Sequence, residues 1–109
     1  MYPSYNVIDL STQTEIAAEI TPATDADFHR TAQDGWQTNW LSDYIQNSVL
    51  QKYALKISAT GELVGLGAYR DMPEGVLVYV EYIESAPHSN PTLSGSQKYR
   101  GIGAALLAY

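Results

Sequence analysis

The chain has 109 residues, 12 acidic against 6 basic side chains for a formal charge of −6, and no cysteine. That length suits one domain with its own core, so residues 1–109 are read as a single unit. The composition excludes a disulfide framework, a thiolate metal site and a cysteine nucleophile, and an acidic chain that repels a phosphate backbone is not expected to bind nucleic acid.

Met1 leads into YPSYNVIDL, with no basic segment and no long apolar run. Neither a signal peptide nor a membrane-spanning helix is expected, and the expected compartment is the cytoplasm. The negative charge serves solubility or attracts cationic ligands such as amines. EIAAEI (15–20) fits either a short strand or a helical piece. In TPATDADF, Thr24 and Asp27 stand three apart. That is a capping-box spacing, and it predicts a helix from near Asp25 that ends before Asp34-Gly35. A second helix is predicted over NWLSDYIQNSVLQ, where Leu41, Tyr44, Ile45 and Val49 form one apolar stripe and Asn39 is the N-cap.

The period then changes. Tyr53, Leu55 and Ile57 alternate with Ala54, Lys56 and Ser58, SATGE supplies a turn, and LVGLGAY follows, which together predict a hairpin. Gly65 and Gly67 share one face of its second strand, for tight packing or for close approach of a ligand. VLVYVEYIES (76–85) is apolar on both faces apart from its glutamates, so a central, buried strand is expected. APHSNPTLSGSQ (86–97) is a loop, and a last helix begins near Gly101. The predicted order is helix, helix, three strands, loop, helix: an α/β fold whose sheet begins antiparallel.

The closing stretch QKYRGIGAALLAY carries the chemistry. A helix start offers free backbone N–H groups and the positive end of the helix dipole, which together attract anions. Glycine at 101 and 103 lets an anion approach those amides. Gln97, Lys98 and Arg100 add donors, and arginine can grip a phosphate with two parallel bonds. Ile102, Leu106 and Tyr109 would face the sheet. A P-loop would need Gly-Lys-Ser/Thr, which is missing, and the dinucleotide fingerprint would need glycine where Leu106 stands.

With Lys98-Tyr99-Arg100-Gly101-Ile102-Gly103 in register with Gln/Arg-x-x-Gly-x-Gly/Ala, the chain resembles the GNAT superfamily of acetyl-CoA-dependent N-acetyltransferases. GELVGLGAY resembles that family's third strand and VEYIESAP its fourth, so the likeness runs over about residues 15 to 109. Lys98 departs from the usual Gln/Arg but keeps a donor. The resemblance implies a GNAT-like mixed, mostly antiparallel sheet flanked by helices, with acetyl-CoA as cosubstrate and a small-molecule or peptide amine as acceptor. It implies that the coenzyme pyrophosphate sits on Lys98, Arg100, Gly101, Ile102, Gly103 and Ala104, and that the pantetheine arm runs beside Ile83, Glu84 and Ser85.

The implied reaction is attack of a neutral amine on the thioester, which needs a base. Glu81 is the first candidate and Glu84 the second, since carboxylates on buried strands tend toward the raised pKa values such a base needs. Either one also fits a strand-end charge paired with Arg70 or Lys56. Alternation would put Glu81 with Leu77, Tyr79 and Ile83 and Glu84 on the opposite face. His29 is expected on the surface, and His88 is read as an exposed loop residue or as a base near the cleft. Trp36, Trp40 and Tyr44 are read as core aromatics or as an acceptor pocket. No metal role is expected. The family continues past the motif A helix, so this sequence is expected to stop short of that continuation, with a homodimer as one way to cover the exposed strand edge. The alternative function is a GNAT remnant that binds coenzyme A or a protein without catalysis.

Overall fold

A computed structural model describes residues 4–46, 50–71, 78–89 and 98–108. Six strands form one antiparallel sheet: β1 (Ser4–Asp9), β2 (Thr14–Pro22), β3 (Gln51–Ile57), β4 (Leu63–Asp71), β5 (Val78–Ser85) and the two-residue β6 (Tyr99–Arg100). Their spatial order is β5-β4-β3-β2-β1-β6. Helices α1 (Asp25–Asp34) and α2 (Asp43–Gln46) lie between β2 and β3, and α3 (Ile102–Ala108) closes the described chain. The sheet curls, so that Ser89, just past β5, accepts a hydrogen bond from the N–H of Tyr99 on the opposite edge strand at 3.0 Å.

Each face of the sheet carries its own core. On one, α3 packs Ile102, Ala105 and Leu106 against Val7, Ala18, Ile20, Leu55, Ile57 and Val64. On the other, Phe28, Trp36, Trp40 and Ile45 cover Ala54, Leu66 and Ala68. Strand alternation, shifted on β4 by the irregularity at Val64, divides the two sets, and burying each large aliphatic side chain contributes about 1.5–3 kcal/mol.

The first helix forms where its cap predicts. Thr24 accepts from the N–H of Asp27 at 3.3 Å, and Asp27 accepts from the N–H of Thr24 at 2.9 Å. Gly35 ends it in the left-handed conformation at φ 76. Asp27 also holds Lys56 of β3 at 2.9 Å, so Lys56 is committed to α1 rather than to a glutamate of β5.

Of the two readings of EIAAEI the strand forms, within β2, and β1 adds a strand the sequence did not suggest. Three expectations change. The second helix shrinks to Asp43–Gln46, with residues 47–49 outside the described set. Leu41 and Tyr44 of its supposed apolar stripe are exposed, while Trp40 and Ile45 are buried. Finally, β5 is an edge strand rather than a central one: among the described residues it pairs with β4 alone.

Two irregularities shape β4 and β5. Between Leu55↔Gly65 and Lys56↔Leu63 the register skips Val64, and between Ala68↔Tyr82 and Tyr69↔Val80 it skips Glu81. Each skipped residue is the extra one of a β-bulge, which bends a strand and re-aims its side chains. Simple alternation through Glu81 therefore does not hold.

Candidate functional site

The glycine loop is held at the end of the sheet where β5 finishes. Leu10 donates its N–H to the carbonyl of Lys98 at 3.0 Å, and β6 pairs Arg100 with Ile8 and Tyr99 with Asp9. Glu62, in the β3–β4 turn, grips two consecutive loop residues. One carboxylate oxygen accepts from the Tyr99 hydroxyl at 2.8 Å and the other lies 3.3 Å from the Lys98 ammonium. The Lys98 ammonium also sits 5.2 Å from the centre of the Tyr99 ring. Sequence reasoning left Glu62 as a turn residue, because nothing near it in the chain points to partners 36 and 37 positions away.

Gly101 follows with φ +96, a conformation that side-chain-bearing residues rarely adopt. Its carbonyl accepts from the N–H of Ala105 at 3.0 Å, which closes the first turn of α3. The amides of Ile102, Gly103 and Ala104 therefore lie in the turn that has no intrahelical acceptors. A Cβ built on Gly103 would meet nothing within 4 Å, so the side-chain position there is open. Arg100 is exposed, and its guanidinium makes no ion pair or hydrogen bond among the described residues. Ile102 is buried against the sheet and serves the core. Gln97 lies outside the described residues.

The two glycines of β4 serve packing. A Cβ on Gly65 would sit 2.7 Å from Ile102 Cγ2 and 3.0 Å from Leu106 Cδ1, and one on Gly67 would run into the Tyr69 ring. Tyr69 in turn donates its hydroxyl to the carbonyl of Leu106 at 2.8 Å. This β4 face is cut away so that α3 can lie close, which fixes the helix that carries the loop.

The predicted strand residues separate. Ile83 packs toward the α3 core, and Ser85 pairs with Gly65 at the end of β5. Glu84 points the other way and is buried. Its carboxylate accepts from the backbone N–H of Gln37 at 2.7 Å, the backbone N–H of Thr38 at 3.2 Å and the indole N–H of Trp40 at 2.8 Å. All of these partners are donors, so Glu84 works as a clamp on the α1–α2 connection and pairs with neither Arg70 nor Lys56. Glu81 is the extra residue of the β5 bulge, and its side chain lies outside the described residues, as does that of His88.

Trp36 and Trp40 are core residues. Trp40 stacks on Phe28 at 6.5 Å and meets the edge of Tyr82 at 6.3 Å, and exposed Tyr44 meets Tyr82 at 6.3 Å. His29 is exposed, as expected, with Nδ1 2.8 Å from the Asp25 carbonyl oxygen. A cavity of 920 Å³ opens between α1, the β3–β4 turn and Ala86-Pro87, with Glu62 shared between it and the glycine loop. Its other charges are matched, Asp27 with Lys56 and Arg30 with Asp34.

Burial, then the hydrogen bond to Glu62, raises the Tyr99 phenol above its ordinary 10.0. For Lys98, burial works downward, but the hydrogen bond and charge of Glu62 outweigh it and raise the ammonium above 10.5. Groups whose folded pKa is raised give stability that is complete below the unfolded value and lost as pH climbs through the folded one. Stability should therefore fall as pH rises past about 10, and Tyr99→Phe should flatten that alkaline limb in urea-unfolding curves measured from pH 8 to 11.5. An unchanged alkaline limb in Tyr99→Phe would remove the phenol from the loop's anchoring.

No protein-family model, no curated protein and no solved structure matches the chain.

Proposed function

We propose that this chain is a GNAT-type domain that takes acetyl-CoA and transfers the acetyl group to a primary amine. The observation that carries this is the loop from Lys98 to Gly103. It is anchored by Tyr99, turned at a left-handed glycine that directly follows the exposed Arg100, and leads into three first-turn amides. A coenzyme pyrophosphate needs these elements: open backbone N–H groups, little side-chain bulk and a planar cation. The edge position of β5 and the bulge at Glu81 add support, since an extended pantetheine arm can pair along a strand edge that has no partner among the described residues, near Ile83 and Ser85.

When bound, acetyl-CoA supplies an activated thioester whose carbonyl carbon would bond to the amine nitrogen as the carbon–sulfur bond breaks, coenzyme A leaving as a thiolate that takes a proton from solvent. The residues of this chain bind, orient and move a proton. Arg100 and the amides of Gly101 to Ala104 hold the phosphates. Glu81 is the proposed base that takes a proton from the amine. Glu84 is already engaged by three N–H donors and instead fixes the connection carrying Trp40. That engagement favours a second reading, a coenzyme A or protein binding module without catalysis, because it leaves Glu81 as the remaining carboxylate for the role.

The test uses Gly103→Glu. The position is helical and open, and a glutamate in a first helical turn is favourable, so the fold should keep its stability. The added carboxylate stands where the pyrophosphate would bind. Thiol release from acetyl-CoA with a panel of polyamines and aminoglycosides should be measurable for the natural chain and at least about 100-fold lower for Gly103→Glu. Equal rates in the two proteins would place the phosphates elsewhere. Binding of coenzyme A without thiol release for any amine would favour the module.

A further inference from the structure

We propose that Glu62 is the positioning residue that governs how firmly the loop takes the coenzyme, holding Lys98 in reserve and giving it up to the incoming phosphates. This rests on the coenzyme reading above and goes beyond it to a residue outside the glycine motif.

The contacts of Glu62 with Tyr99 and Lys98 are unequal. Tyr99 is buried, and its hydroxyl donates to Glu62 at 2.8 Å, while its N–H is held by Ser89 at 3.0 Å. That side of the carboxylate fixes the loop. The Lys98 side is looser: 3.3 Å, with the lysine side chain half exposed at 50% and the glutamate at 29%. Exposed ion pairs of this kind are weak and exchange readily. A phosphate brings more charge and more acceptor oxygens than one carboxylate, so it competes well for the same ammonium. Lys98 stands three residues before Gly101, in the motif's donor slot, yet without ligand its charge is directed at the β3–β4 turn. Arg100 carries no such restraint among the described residues. Arg100 lines a hollow with Ile8, Leu10, Gln13 and Glu15, so Lys98 is the cation that exchange of the Glu62 bond would release to the loop.

Glu62→Gln separates the two contacts. The glutamine carbonyl can still accept from the Tyr99 hydroxyl, while the charge that restrains Lys98 is gone. In calorimetry with coenzyme A at low salt, Glu62→Gln should bind about two- to five-fold more tightly than the natural chain, and the gain should fade at 0.5 M salt. In a Lys98→Met background the same change should make no difference. Lys98→Met alone should weaken binding by about two- to five-fold, a result that stands even if Glu62→Gln disturbs the loop. If the natural chain binds coenzyme A and Glu62→Gln binds no better, with Lys98→Met neutral, the reserve role fails while the coenzyme reading stands. If none of the proteins binds coenzyme A, the coenzyme reading fails and takes this proposal with it.

Discussion

Replacing Glu84 by glutamine is expected to lower the stability of the fold by about 2–4 kcal/mol, the largest loss for any single polar substitution proposed for this chain. The carboxylate is buried and accepts three hydrogen bonds from donors 44 to 47 positions away. Hydrogen bonds to a charged acceptor contribute about 1.5–3 kcal/mol each, and a donor left unsatisfied costs about 1–3 kcal/mol. Glutamine keeps the shape but has one carbonyl oxygen where two carboxylate oxygens stood. Its amide group would point N–H against N–H. Either the Gln37 N–H, or the Thr38 N–H together with the Trp40 indole, must then lose its partner. Urea unfolding measures the loss, and tryptophan fluorescence reports whether Trp40 has moved. A change below about 0.5 kcal/mol would mean that the clamp is dispensable, and Glu84 would return as a candidate base.

Gly65→Ala is expected to cost about 1–3 kcal/mol although it adds only one methyl group. The new carbon would stand 2.7 Å from Ile102 Cγ2 and 3.0 Å from Leu106 Cδ1, both in the fully packed core under α3. Isoleucine is branched at Cβ and stiff at χ1, so it cannot swing aside and the helix must lift. Because α3 carries the glycine loop, coenzyme binding should weaken along with stability. A compensating cut tests the cause: Gly65→Ala with Ile102→Ala, which removes the Cγ2 the new methyl meets, should be more stable than the sum of the two single effects allows. Strict additivity would mean that the strain lies elsewhere.

These two residues show how unevenly the sequence reports its own structure. TPATDADF announced α1 because a capping box is local: both partners lie within four residues. The β3–β4 hairpin was legible for the same reason, with alternating residues on both sides of a short polar turn. The shared face of Gly65 and Gly67 was visible from their spacing, though its use for α3 was settled only by Ile102, Leu106 and Tyr69. The helical spacing of Leu41, Tyr44, Ile45 and Val49 predicts a longer second helix than forms, because the backbone at Gln37 and Thr38 is drawn to Glu84 and the Trp40 side chain takes the core position. Tertiary bonds override a weak local period.

Edge position was not legible for β5, because an apolar strand covered by helices on both faces has the same pattern whether or not a neighbour lies beside it. The bulge at Glu81 leaves no mark in a run of alternating residues. At the candidate site, the motif located the loop and its donors, but not their restraint. Lys98 reads as a free cation in the sequence and is half committed to Glu62 in the fold.

The most direct measurement is calorimetric titration of the natural chain with coenzyme A at low salt, beside Gly103→Glu as a folded control. The predicted result is saturable binding with a Kd in the micromolar range, about −7 to −8 kcal/mol, lost in Gly103→Glu with its unfolding midpoint unchanged. No heat from the natural chain at millimolar coenzyme A, or equal binding by the two proteins, would contradict the assignment of Lys98 to Ala104 as the coenzyme's phosphate cradle.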